Sequence, residues 1–469
     1  MQAARTYKDK KIAVMGLGRA GLGAVHALLK DGAEVLAWDD NEHSRDRAQT
    51  LGATVTPLAQ AGAFDDVEAL VLSPGIPHTH PAPHPVAAAA KAAGVPIIGE
   101  VALLAGYAPK ANYIGITGTN GKSTTTALIG HILHRAGKNA EVGGNLGVPA
   151  TDLKRLDADG AYVIEMSSYQ LELSPIHFKI AVLLNITPDH LPRHGGMDGY
   201  VAAKARIFDG QGPGDIAVIS VDDDRCAGVA EALTLGQRRV VPISCHHTVA
   251  GGVYVDGEKL IDDLDGDTKH VLDLSTVTTM PGSHNWQNMA AAYAVARLYG
   301  VSARQATDAI LDFPGLPHRQ QMIAILDRVA YVNDSKATNA EAAAKALSCY
   351  PAIYWIAGGQ EKDGGYDILT PHLKNVRHAF LIGEGAKNMG ASLSPHITVS
   401  QCGTLDTALN AAHEMARENG ERGAVVLLSP ACASFDQFAS FEDRGAFFCD
   451  LVRKLPCQNR QMLVEGIGS

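Results

Sequence analysis

Short apolar runs alternate with amphipathic stretches along most of the chain. The first runs lie at Lys11–Met15, Glu34–Trp38 and Val67–Leu72, and each has the length of a buried strand. Between the first two, residues 22–30 carry apolar side chains at helical spacing and end before Gly32, a residue type that favours helix ends. Because strand and helix patterns alternate, we expect a parallel sheet covered by helices.

The alternation restarts at residue 112 and continues through the middle of the chain. Strands are predicted at residues 112–117, 161–164, 180–184 and 216–220. Residues 240–274 alternate between apolar and polar side chains among glycine-rich turns, which predicts a small antiparallel patch. A helix is predicted over residues 285–299, and Ser302 is expected to cap the next helix, which runs to residue 313.

The last third repeats the pattern after Phe313-Pro-Gly-Leu-Pro317 breaks the chain. Strands are predicted at residues 329–332, 353–357, 378–382 and 424–428, and helices at 339–349, 405–419 and 441–454. We therefore expect an α/β protein of three domains. They are a Rossmann-like domain over residues 1–105, a central P-loop ATPase domain with a parallel sheet over 106–315, and a C-terminal Rossmann-like domain over 316–469.

Composition narrows the class of protein. The 469 residues are 46% apolar and 19% charged with a net charge of −10, which indicates a globular protein and argues against a nucleic-acid binder. No apolar run reaches the roughly 18 residues that a membrane helix needs, and the polar first residues differ from a secretory signal. Seven cysteines without a C-x-x-C pair indicate reduced thiols, so we expect a cytoplasmic protein.

The most informative stretch joins the strand at 112–117 to a helix that ends near Gly137. It reads Gly118-Thr-Asn-Gly-Lys-Ser-Thr124. A glycine-rich turn before a helix directs backbone N–H groups and the helix dipole at one point, which suits a polyphosphate. Lys122 adds a positive charge there, and the hydroxyl of Ser123 or Thr124 can reach Mg²⁺.

A second glycine-rich turn follows the first strand. Gly16-Leu-Gly18-Arg-Ala-Gly21 precedes a helix, and Asp39-Asp40 follows the next strand. Three glycines and an acidic residue about 20 positions later are typical of NAD binding, although the same turn suits any diphosphate. Ser73-Pro-Gly-Ile76 forms another turn at the end of a strand, where open α/β sheets bind ligands.

Polar residues also follow the middle strands. Glu165 ends one strand, Asp189-His190 follows the next, and three aspartates at 222–224 follow another. Glu165 is placed like the acidic residue that holds Mg²⁺ in P-loop proteins. Alternatively, Glu165 is a solvated carboxylate at a strand end, and His190 is a packed or capping imidazole.

These stretches and several others resemble one known family, that of the Mur ligases, and cover essentially the whole chain. The matching stretches occur in the family's order: 118–124, 165–172, 187–190, 200–204, 284–288, 318–319, 334–339 and 429–435. The early ones are shared with folylpolyglutamate synthases, whereas 334–339 and 429–441 resemble the D-glutamate-adding branch. The resemblance implies ATP-dependent amide formation through an acyl phosphate and a tetrahedral intermediate in peptidoglycan precursor synthesis.

The resemblance also implies substrates and cofactors. The substrates would be UDP-N-acetylmuramoyl-L-alanine, D-glutamate and ATP, with two Mg²⁺ ions and a carbamylated Lys204, in a monomer. From the residues alone, Lys204 would be a surface helix lysine. The implied catalytic residues are Lys122, Glu165, His190 and Lys204, and the implied metal ligands are Ser123, Glu165, His190 and the Lys204 carbamate.

Binding residues are carried over from the same resemblance. Those for ATP are Gly118, Thr119, Asn120, Gly121, Lys122, Ser123, Thr124, Asn285, Asn288, Arg319 and Asp334. Those for the UDP-linked substrate are Gly18, Arg19, Ala20, Gly21, Asp39, Asp40, Asn41, Ser73, Pro74, Gly75, Asn145 and Ser167. Those for D-glutamate are Lys336, Thr338, Ser434 and Phe441. A further pocket lysine of the family would fall near Lys362, where residues 359–363 depart from the family's form.

Three other functions are compatible with part of the sequence. An NAD-dependent oxidoreductase would use residues 16–21 but leaves 118–124 unexplained. A non-enzymatic nucleotide-binding switch needs neither Lys204 nor His190. Another Mur ligase, or a ligase like folylpolyglutamate synthase, would add a different amino acid. Ile116 stands where the full P-loop pattern has its first glycine, so a plain strand–turn–helix with a surface lysine also stays open.

Overall fold

A computed structural model of the chain describes residues 5–145, 147–280, 282, 284–361 and 365–463. Its backbone divides into two compact units. The first consists of residues 1–276 with 284–312, and the second of residues 277–283 with 313–469. The first unit contains two sheets and the second contains one.

The first sheet has five parallel strands with helices between them. Its strands are β1 (Lys11–Met15), β2 (Glu34–Trp38), β3 (Thr54–Val55), β4 (Val67–Leu72) and β5 (Ile97–Ile98), in the order β3-β2-β1-β4-β5. Its helices are α1 (Arg19–Lys30), α2 (Glu42–Leu51), α3 (Pro85–Ala92) and α4 (Glu100–Tyr107). The order reverses direction between β1 and β4, and such a switch point opens a crevice for ligands at the carboxyl ends of the strands.

The second sheet has nine strands in the order β14-β13-β12-β11-β10-β9-β6-β8-β7. They are β6 (Asn112–Thr117), β7 (Ala140–Gly144), β8 (Ala161–Glu165), β9 (Ile180–Leu183), β10 (Ile216–Ser220), β11 (Arg239–Ser244), β12 (Val253–Asp256), β13 (Lys259–Asp262) and β14 (Lys269–Asp273). The helices are α5 (Lys122–Arg135), α6 (Ser168–Leu173), α7 (Leu191–His194), α8 (Met197–Ala205), α9 (Asp224–Thr234), α10 (His284–Leu298) and α11 (Ala303–Leu311).

The antiparallel patch predicted over residues 240–274 is only partly right. Strands β12, β13 and β14 are antiparallel, but β11 pairs parallel with β10 and with β12. Helix α9 connects β10 to β11, and a helical crossover returns the chain in the same direction. The apolar alternation identified a strand there but carried no information about the direction of its partner.

The third sheet lies in the second unit. Its strands are β15 (Gln321–Leu326), β16 (Val329–Asn333), β17 (Ala352–Gly358), β18 (Val376–Ile382), β19 (Val399–Gly403), β20 (Ala424–Leu428) and β21 (Arg460–Met462), in the order β19-β18-β17-β20-β16-β15-β21. The helices are α12 (Ala340–Leu347), α13 (Ala386–Leu393), α14 (Leu405–Asn419) and α15 (Phe441–Lys454). Strand β20 pairs in parallel with β16 and β17, and β18 pairs in parallel with β17 and β19. Strand β15 is antiparallel to both of its neighbours, β16 and β21.

The expected α/β architecture with three sheets is confirmed, and the predicted limits of the three domains stay a prediction. Among the helix ends, α1 begins three residues before the predicted position, because the chain already turns helically at Arg19. Helix α5 ends at Arg135 with Ala136 as its cap, and the left-handed Gly137 follows. No helix in the described ranges is long and apolar enough to cross a membrane.

Candidate active site

The loop between β6 and α5 adopts a conformation that depends on glycine. Gly118 and Gly121 have φ angles of +156° and +83°, where a side chain is strained. A Cβ atom on Gly121 would lie 2.2 Å from Oδ1 of Asn288, so the loop and helix α10 are in close contact. Helix α5 begins directly after this turn, and its first N–H groups have no intrahelical partners, which suits an anion.

Two lysines reach the same carbonyl oxygen in this loop. The Nζ atom of Lys122 donates to the carbonyl oxygens of Gly118 at 2.9 Å and Thr119 at 2.8 Å. The Nζ atom of Lys204, on helix α8, also donates to the Gly118 carbonyl, at 2.7 Å. Two lysine side chains thus meet at the turn that the sequence predicts to bind a polyphosphate.

Lys204 is buried, with only 1% of its surface exposed. The residue-based expectation of a surface helix lysine is therefore wrong, because α8 directs Tyr200, Ala203 and Lys204 inward. The Lys204 ammonium lies 4.6 Å from the centre of the Tyr200 ring. Burial, and then the positive charge of Lys122, lower the pKa of Lys204 to about 7. A substantial share of this amine is neutral near neutral pH.

Glu165 ends strand β8 beside Ile116 of β6 and is buried to 1% exposure. Its Oε1 atom accepts a hydrogen bond from Nδ2 of Asn145 at 2.8 Å. Its Oε2 atom is buried and has no hydrogen-bond partner among the described residues. An unpaired buried carboxylate oxygen is costly, and a hard cation such as Mg²⁺ would satisfy it.

His190 precedes helix α7 in a left-handed conformation with φ of +53°. Its Nε2 atom lies 3.3 Å from Oδ2 of Asp189, and both side chains are about half exposed. Its ring centre lies 5.3 Å from that of Tyr169. Across the described ranges no three His, Cys, Asp or Glu side chains form a ready metal cluster, so phosphate oxygens or a carbamate would have to complete the ligand set.

His194 is a residue of this site that the sequence reasoning missed. Its side chain is fully buried; Nε2 lies 2.9 Å from Oγ of Ser168, and Nδ1 lies 3.0 Å from Oε1 of Glu172. Its ring centre is 5.3 Å from those of Tyr169 and Tyr200. Burial lowers the pKa of His194. Only its position four residues after His190 could have indicated it.

Amide side chains connect the phosphate loop to helix α10. Thr125 donates to Oδ1 of Asn288 at 3.2 Å, and Nδ2 of Asn288 donates to Oδ1 of Asn285 at 3.0 Å. Both asparagines are buried. The N–H of Asn120 donates to Oδ1 of Asn185 at 2.8 Å. The structure thus brings Asn285 and Asn288 beside the loop, as the resemblance implies for ATP-binding residues, and adds Asn185 to them.

Asp39 supports the backbone of the glycine turn in the first sheet. Asp39 accepts hydrogen bonds from the N–H groups of Leu17 at 2.6 Å and Asn41 at 2.8 Å, so both carboxylate oxygens are engaged by the backbone. In NAD proteins the corresponding carboxylate binds ribose hydroxyls. The neighbouring Asp40 is exposed.

Arg19 and Ser73, which are predicted to bind the UDP-linked substrate, lie at this turn, whereas Ser167 lies at the start of helix α6. Arg19 donates to the carbonyl of Gly147 at 2.9 Å, in the segment that follows Asn145. Ser73 donates to the carbonyl of Gly16 at 3.1 Å. Ser167 accepts from the Gln170 N–H at 3.2 Å and caps helix α6, so its hydroxyl has a structural role as well.

In the second unit, Asp334 is buried just after strand β16. Its oxygens accept hydrogen bonds from the Gln320 N–H at 3.1 Å and the Ser429 hydroxyl at 2.8 Å. Burial raises the pKa of Asp334 to about 7. The nearby Lys336 ammonium lies 5.1 Å from the centre of the Phe441 ring, so two residues predicted to bind D-glutamate are brought together. Ser434 is buried.

Arg444 is a second residue that the sequence reasoning missed. It is fully buried in helix α15. Its guanidinium donates to Oγ and the carbonyl of Ser335, at 3.0 and 2.9 Å, and to the carbonyls of Cys432 and Ala433, at 3.1 and 3.2 Å. It thus ties together the two stretches that carry the predicted D-glutamate residues. Lys362 lies outside the described residues.

The chain is similar along nearly its whole length to curated bacterial ligases. It is 48% identical to the UDP-N-acetylmuramoylalanine–D-glutamate ligase of Paramagnetospirillum magneticum, over 95% of this chain and 97% of that protein. It is 49% identical to the ligase of the same name from Rhodospirillum rubrum, over 96% and 95%. Residues 116–296 match the Mur ligase middle domain, and residues 10–99 match the Mur ligase MurD-like N-terminal domain. The chain belongs to the Mur ligase family.

Solved Mur ligase structures share its fold. The UDP-N-acetylmuramate-alanine ligase of Thermotoga maritima superposes with a TM-score of 0.57 at 17% identity, covering 94% of this chain and 99% of that one. A UDP-N-acetylmuramoylalanyl-D-glutamyl-2,6-diaminopimelate–D-alanyl-D-alanyl ligase from Acinetobacter baumannii gives 0.54 at 21%, covering 76% and 78%. At these identities the likeness concerns the fold alone.

Membership of the Mur ligase family decides between the general classes of function. A Mur ligase is an ATP-dependent ligase, so the chain is an enzyme that uses ATP. The oxidoreductase and the non-enzymatic switch are therefore wrong. The roles of individual site residues stay predictions for this Mur ligase.

Proposed function

We propose that this enzyme joins D-glutamate to UDP-N-acetylmuramoyl-L-alanine at the expense of ATP, in peptidoglycan precursor synthesis. The observation that carries the proposal is the 48–49% identity to ligases of that name over at least 95% of the chain. Lys122, whose ammonium is held at the loop 118–124, would supply the positive charge that phosphoryl transfer requires.

In the first step, a carboxylate oxygen of the L-alanyl group bonds to the γ-phosphorus of ATP, and the bond to the ADP oxygen breaks. Two anions must approach each other, so fixed positive charge and oriented N–H donors lower the barrier. Lys122 and the first turn of α5 provide them for the β- and γ-phosphates. Asn285 and Asn288 would contact ATP beside this loop.

Mg²⁺ would be held by Ser123 and Glu165, whose unpartnered Oε2 atom fits a hard cation. When bound, Mg²⁺ neutralises charge on the phosphates and orients them. A second ion would be held by His190 and a carbamate on Lys204. Carbamylation joins the neutral Lys204 amine to CO₂ with loss of a proton, and the lowered pKa of that amine supplies the reactive form.

In the second step, the amine of D-glutamate attacks the acyl carbon, giving a tetrahedral intermediate. The amine loses a proton and inorganic phosphate leaves with the C–O bonding electrons, which forms the amide. Lys336, Thr338 and Ser434 would bind the two carboxylates of D-glutamate, because an ammonium and hydroxyls make strong hydrogen bonds to carboxylate. Phe441 would fix Lys336, whose ammonium lies 5.1 Å from the ring centre.

Phosphate release tests this function directly. The enzyme is incubated with ATP, Mg²⁺ and UDP-N-acetylmuramoyl-L-alanine, and D-glutamate, L-glutamate, D-alanine or diaminopimelate is added. We expect phosphate release and a new amide product with D-glutamate alone. Equal turnover with diaminopimelate would assign the enzyme to another branch of the family.

We also propose that the enzyme works in the cytoplasm as a monomer of three domains, with limits near residues 105 and 315. All seven cysteines are free, as is usual in a reducing compartment. Light scattering at working concentration tests the monomer, and limited proteolysis with mass spectrometry tests the two limits.

A further inference from the structure

Arg193 connects the two sheets of the first unit. It lies in helix α7, three residues after His190. Its Nη2 atom donates to the carbonyl of Ile76 at 2.7 Å and, more weakly, to that of Pro74 at 3.4 Å, and Nη1 donates to the carbonyl of His80 at 3.3 Å. All three carbonyls belong to the loop that follows strand β4.

The planar face of the Arg193 guanidinium also packs against an aromatic ring. Its Cζ atom lies 5.1 Å from the centre of the Tyr169 ring, and Tyr169 belongs to helix α6, which follows Glu165. Stacking and a fork of N–H donors are properties of arginine that lysine lacks. The side chain therefore has a defined orientation between an aromatic ring and three backbone carbonyls.

Further contacts join the same two segments, residues 73–80 and 190–196. A Cβ atom on Gly195 would lie 3.2 Å from the His80 ring, and Gly195 has φ of +72°. On the other side, Nε2 of His78 lies 4.0 Å from Oε2 of Glu172, the residue that binds His194. Arg193 lies at the centre of these contacts, and its guanidinium makes the three hydrogen bonds between the two segments that are described above.

The two segments have different tasks in the proposed reaction. Residues 73–75 belong to the predicted site for the UDP-linked substrate, whereas His190 is a predicted metal ligand. One end of the substrate is thus bound by the first sheet, and its reacting carboxylate must arrive beside groups of the second. Displacing a reacting group by about 1 Å can cost about 100-fold in rate, so the separation of these segments must be fixed.

We propose that Arg193 is a positioning residue, which fixes the substrate turn at 73–76 against the segment that carries His190. Arg193 acts through the carbonyls of Pro74 and Ile76 and not by binding ligand. This inference rests on the proposed function. It predicts that loss of the guanidinium lowers kcat at saturating substrate and leaves the affinity for UDP itself nearly unchanged.

The test compares the full-length Arg193→Ala variant with the wild-type enzyme. Steady-state phosphate release gives kcat, and calorimetric titration with UDP gives the Kd for UDP. We expect kcat to fall at least tenfold while the Kd for UDP stays within threefold. Arg193→Lys should give an intermediate kcat, because an ammonium can replace only part of the fork. Arg239→Ala is the matched control, since Arg239 also donates to a carbonyl, that of Leu264 at 2.8 Å, and should keep kcat within twofold.

Chemical rescue distinguishes positioning from general destabilisation. Methylguanidinium at millimolar concentration should restore part of kcat in Arg193→Ala and have no effect in Arg239→Ala. A kcat within twofold of wild type in Arg193→Ala would overturn the proposal. So would a parallel loss of kcat and UDP affinity, because Arg193 would then only maintain the shape of the turn. If Arg193→Ala fails to fold, an unchanged kcat in Arg193→Lys is the overturning result.

The proposed function and the role of Arg193 fail in different experiments. The function fails if wild-type enzyme does not respond to D-glutamate in the amino-acid panel. The role of Arg193 is measured as a ratio between variant and wild type with whichever amino acid supports phosphate release, and by UDP binding, which needs no turnover.

Discussion

At the scale of single residues, the carbonyl oxygen of Gly118 is the point where Lys122 and Lys204 meet. The two ammonium groups repel each other, and Lys204 is the buried one, so its proton is the easier to remove. This assigns different tasks to two residues of the same type. Lys122 is the residue predicted to bind phosphate, whereas the lowered pKa of Lys204 favours its neutral amine.

Lys122→Ala should remove the cation that neutralises the β- and γ-phosphates during transfer. We expect kcat to fall by at least about 100-fold, the scale for losing one charge-stabilising donor. Lys138→Ala is a suitable control, because Lys138 lies beyond the end of α5 and is only partly buried. A near-normal kcat in Lys122→Ala would mean that this loop does not hold the phosphates that react.

Carbamylation of Lys204 should depend on pH in a direction fixed by its pKa. Because the amine has a pKa of about 7 and CO₂ reacts with the neutral form, the rate of carbamylation at constant dissolved CO₂ should rise with pH. It should change about tenfold per unit below pH 7 and level off above it. Carbon-13 NMR of enzyme supplied with labelled bicarbonate measures the carbamate directly.

The same site predicts the behaviour of Lys204→Ala. The variant should lose most activity, and a short carboxylic acid such as acetate should restore part of it by supplying oxygen ligands. Lys204→Ala with full activity and no carbamate signal in the wild type would show that Lys204 has no such role.

The sequence predicted residues of this site where a motif surrounds them and missed those that act through the fold. Gly118 to Thr124 and Glu165 stand beside clear strand patterns, so the amino-acid pattern alone locates them. The burial of Lys204, and the contacts of His194 and Arg444, depend on which neighbours the tertiary structure supplies. A single sequence carries no signal for those neighbours.

At the scale of secondary-structure elements, a buried carboxyl group joins the start of helix α4 to the segment between β7 and β8. Oε1 of Glu100 accepts hydrogen bonds from the N–H and the hydroxyl of Thr151, at 2.7 and 3.1 Å. Burial raises the pKa of Glu100 to about 7. The protonated form is therefore favoured in the folded state.

This shift predicts a pH-dependent stability. A carboxyl whose pKa is raised on folding stabilises the protein fully below its unfolded pKa of 4.5 and loses that contribution as pH rises to about 7. The unfolding free energy of wild type relative to Glu100→Gln should therefore fall over that window, with a slope of at most about 1.4 kcal/mol per pH unit. Urea denaturation between pH 4 and 8 measures it, and a flat difference would contradict the shift.

Strand β6 and helix α9 each contain one glycine whose replacement by alanine should change the unfolding free energy, and the two changes should have opposite signs. A Cβ atom at Gly115 would lie 2.6 Å from the Phe178 ring, whereas one at Gly228 would meet nothing within 4 Å. We expect Gly115→Ala to lower the unfolding free energy by about 1–3 kcal/mol through overpacking. Gly228→Ala should raise it by about 0.5–1 kcal/mol, as in other helix interiors. Denaturant titration of both variants checks the two signs.

The elements themselves were largely predictable because their patterns are local. Strands such as β1, β2, β4, β10 and β20 have the predicted bounds, since each is an apolar run between turn residues. The direction of β11 and the existence of β15, β19 and β21 were not predicted. Strand β21 is only three residues long and β19 is largely polar, whereas the apolar run of β15, which forms a hairpin with the neighbouring β16, was overlooked.

At the scale of the whole molecule, the enzyme should bind UDP compounds and ignore NAD. Residues 10–99 match the MurD-like N-terminal domain of Mur ligases, and this match outweighs the three-glycine turn as an indication of the ligand. Calorimetry with the full chain should give a measurable Kd for UDP-N-acetylmuramoyl-L-alanine and no heat with NAD at millimolar concentration. Tight NAD binding would contradict the arrangement of the first sheet.

The strand order of the third sheet determines when that sheet can form on the ribosome. Strand β20 lies between β17 and β16 and is synthesised after both, and β21 pairs with β15 at the edge although it follows every other strand in the chain. Until residues 424–428 emerge, β17–β19 and the β15–β16 hairpin are separate pieces with unpaired edges, which are prone to wrong association. The nascent enzyme can fold its first sheet early, whereas the third sheet waits for β20 and β21, and chaperones are most needed in that interval.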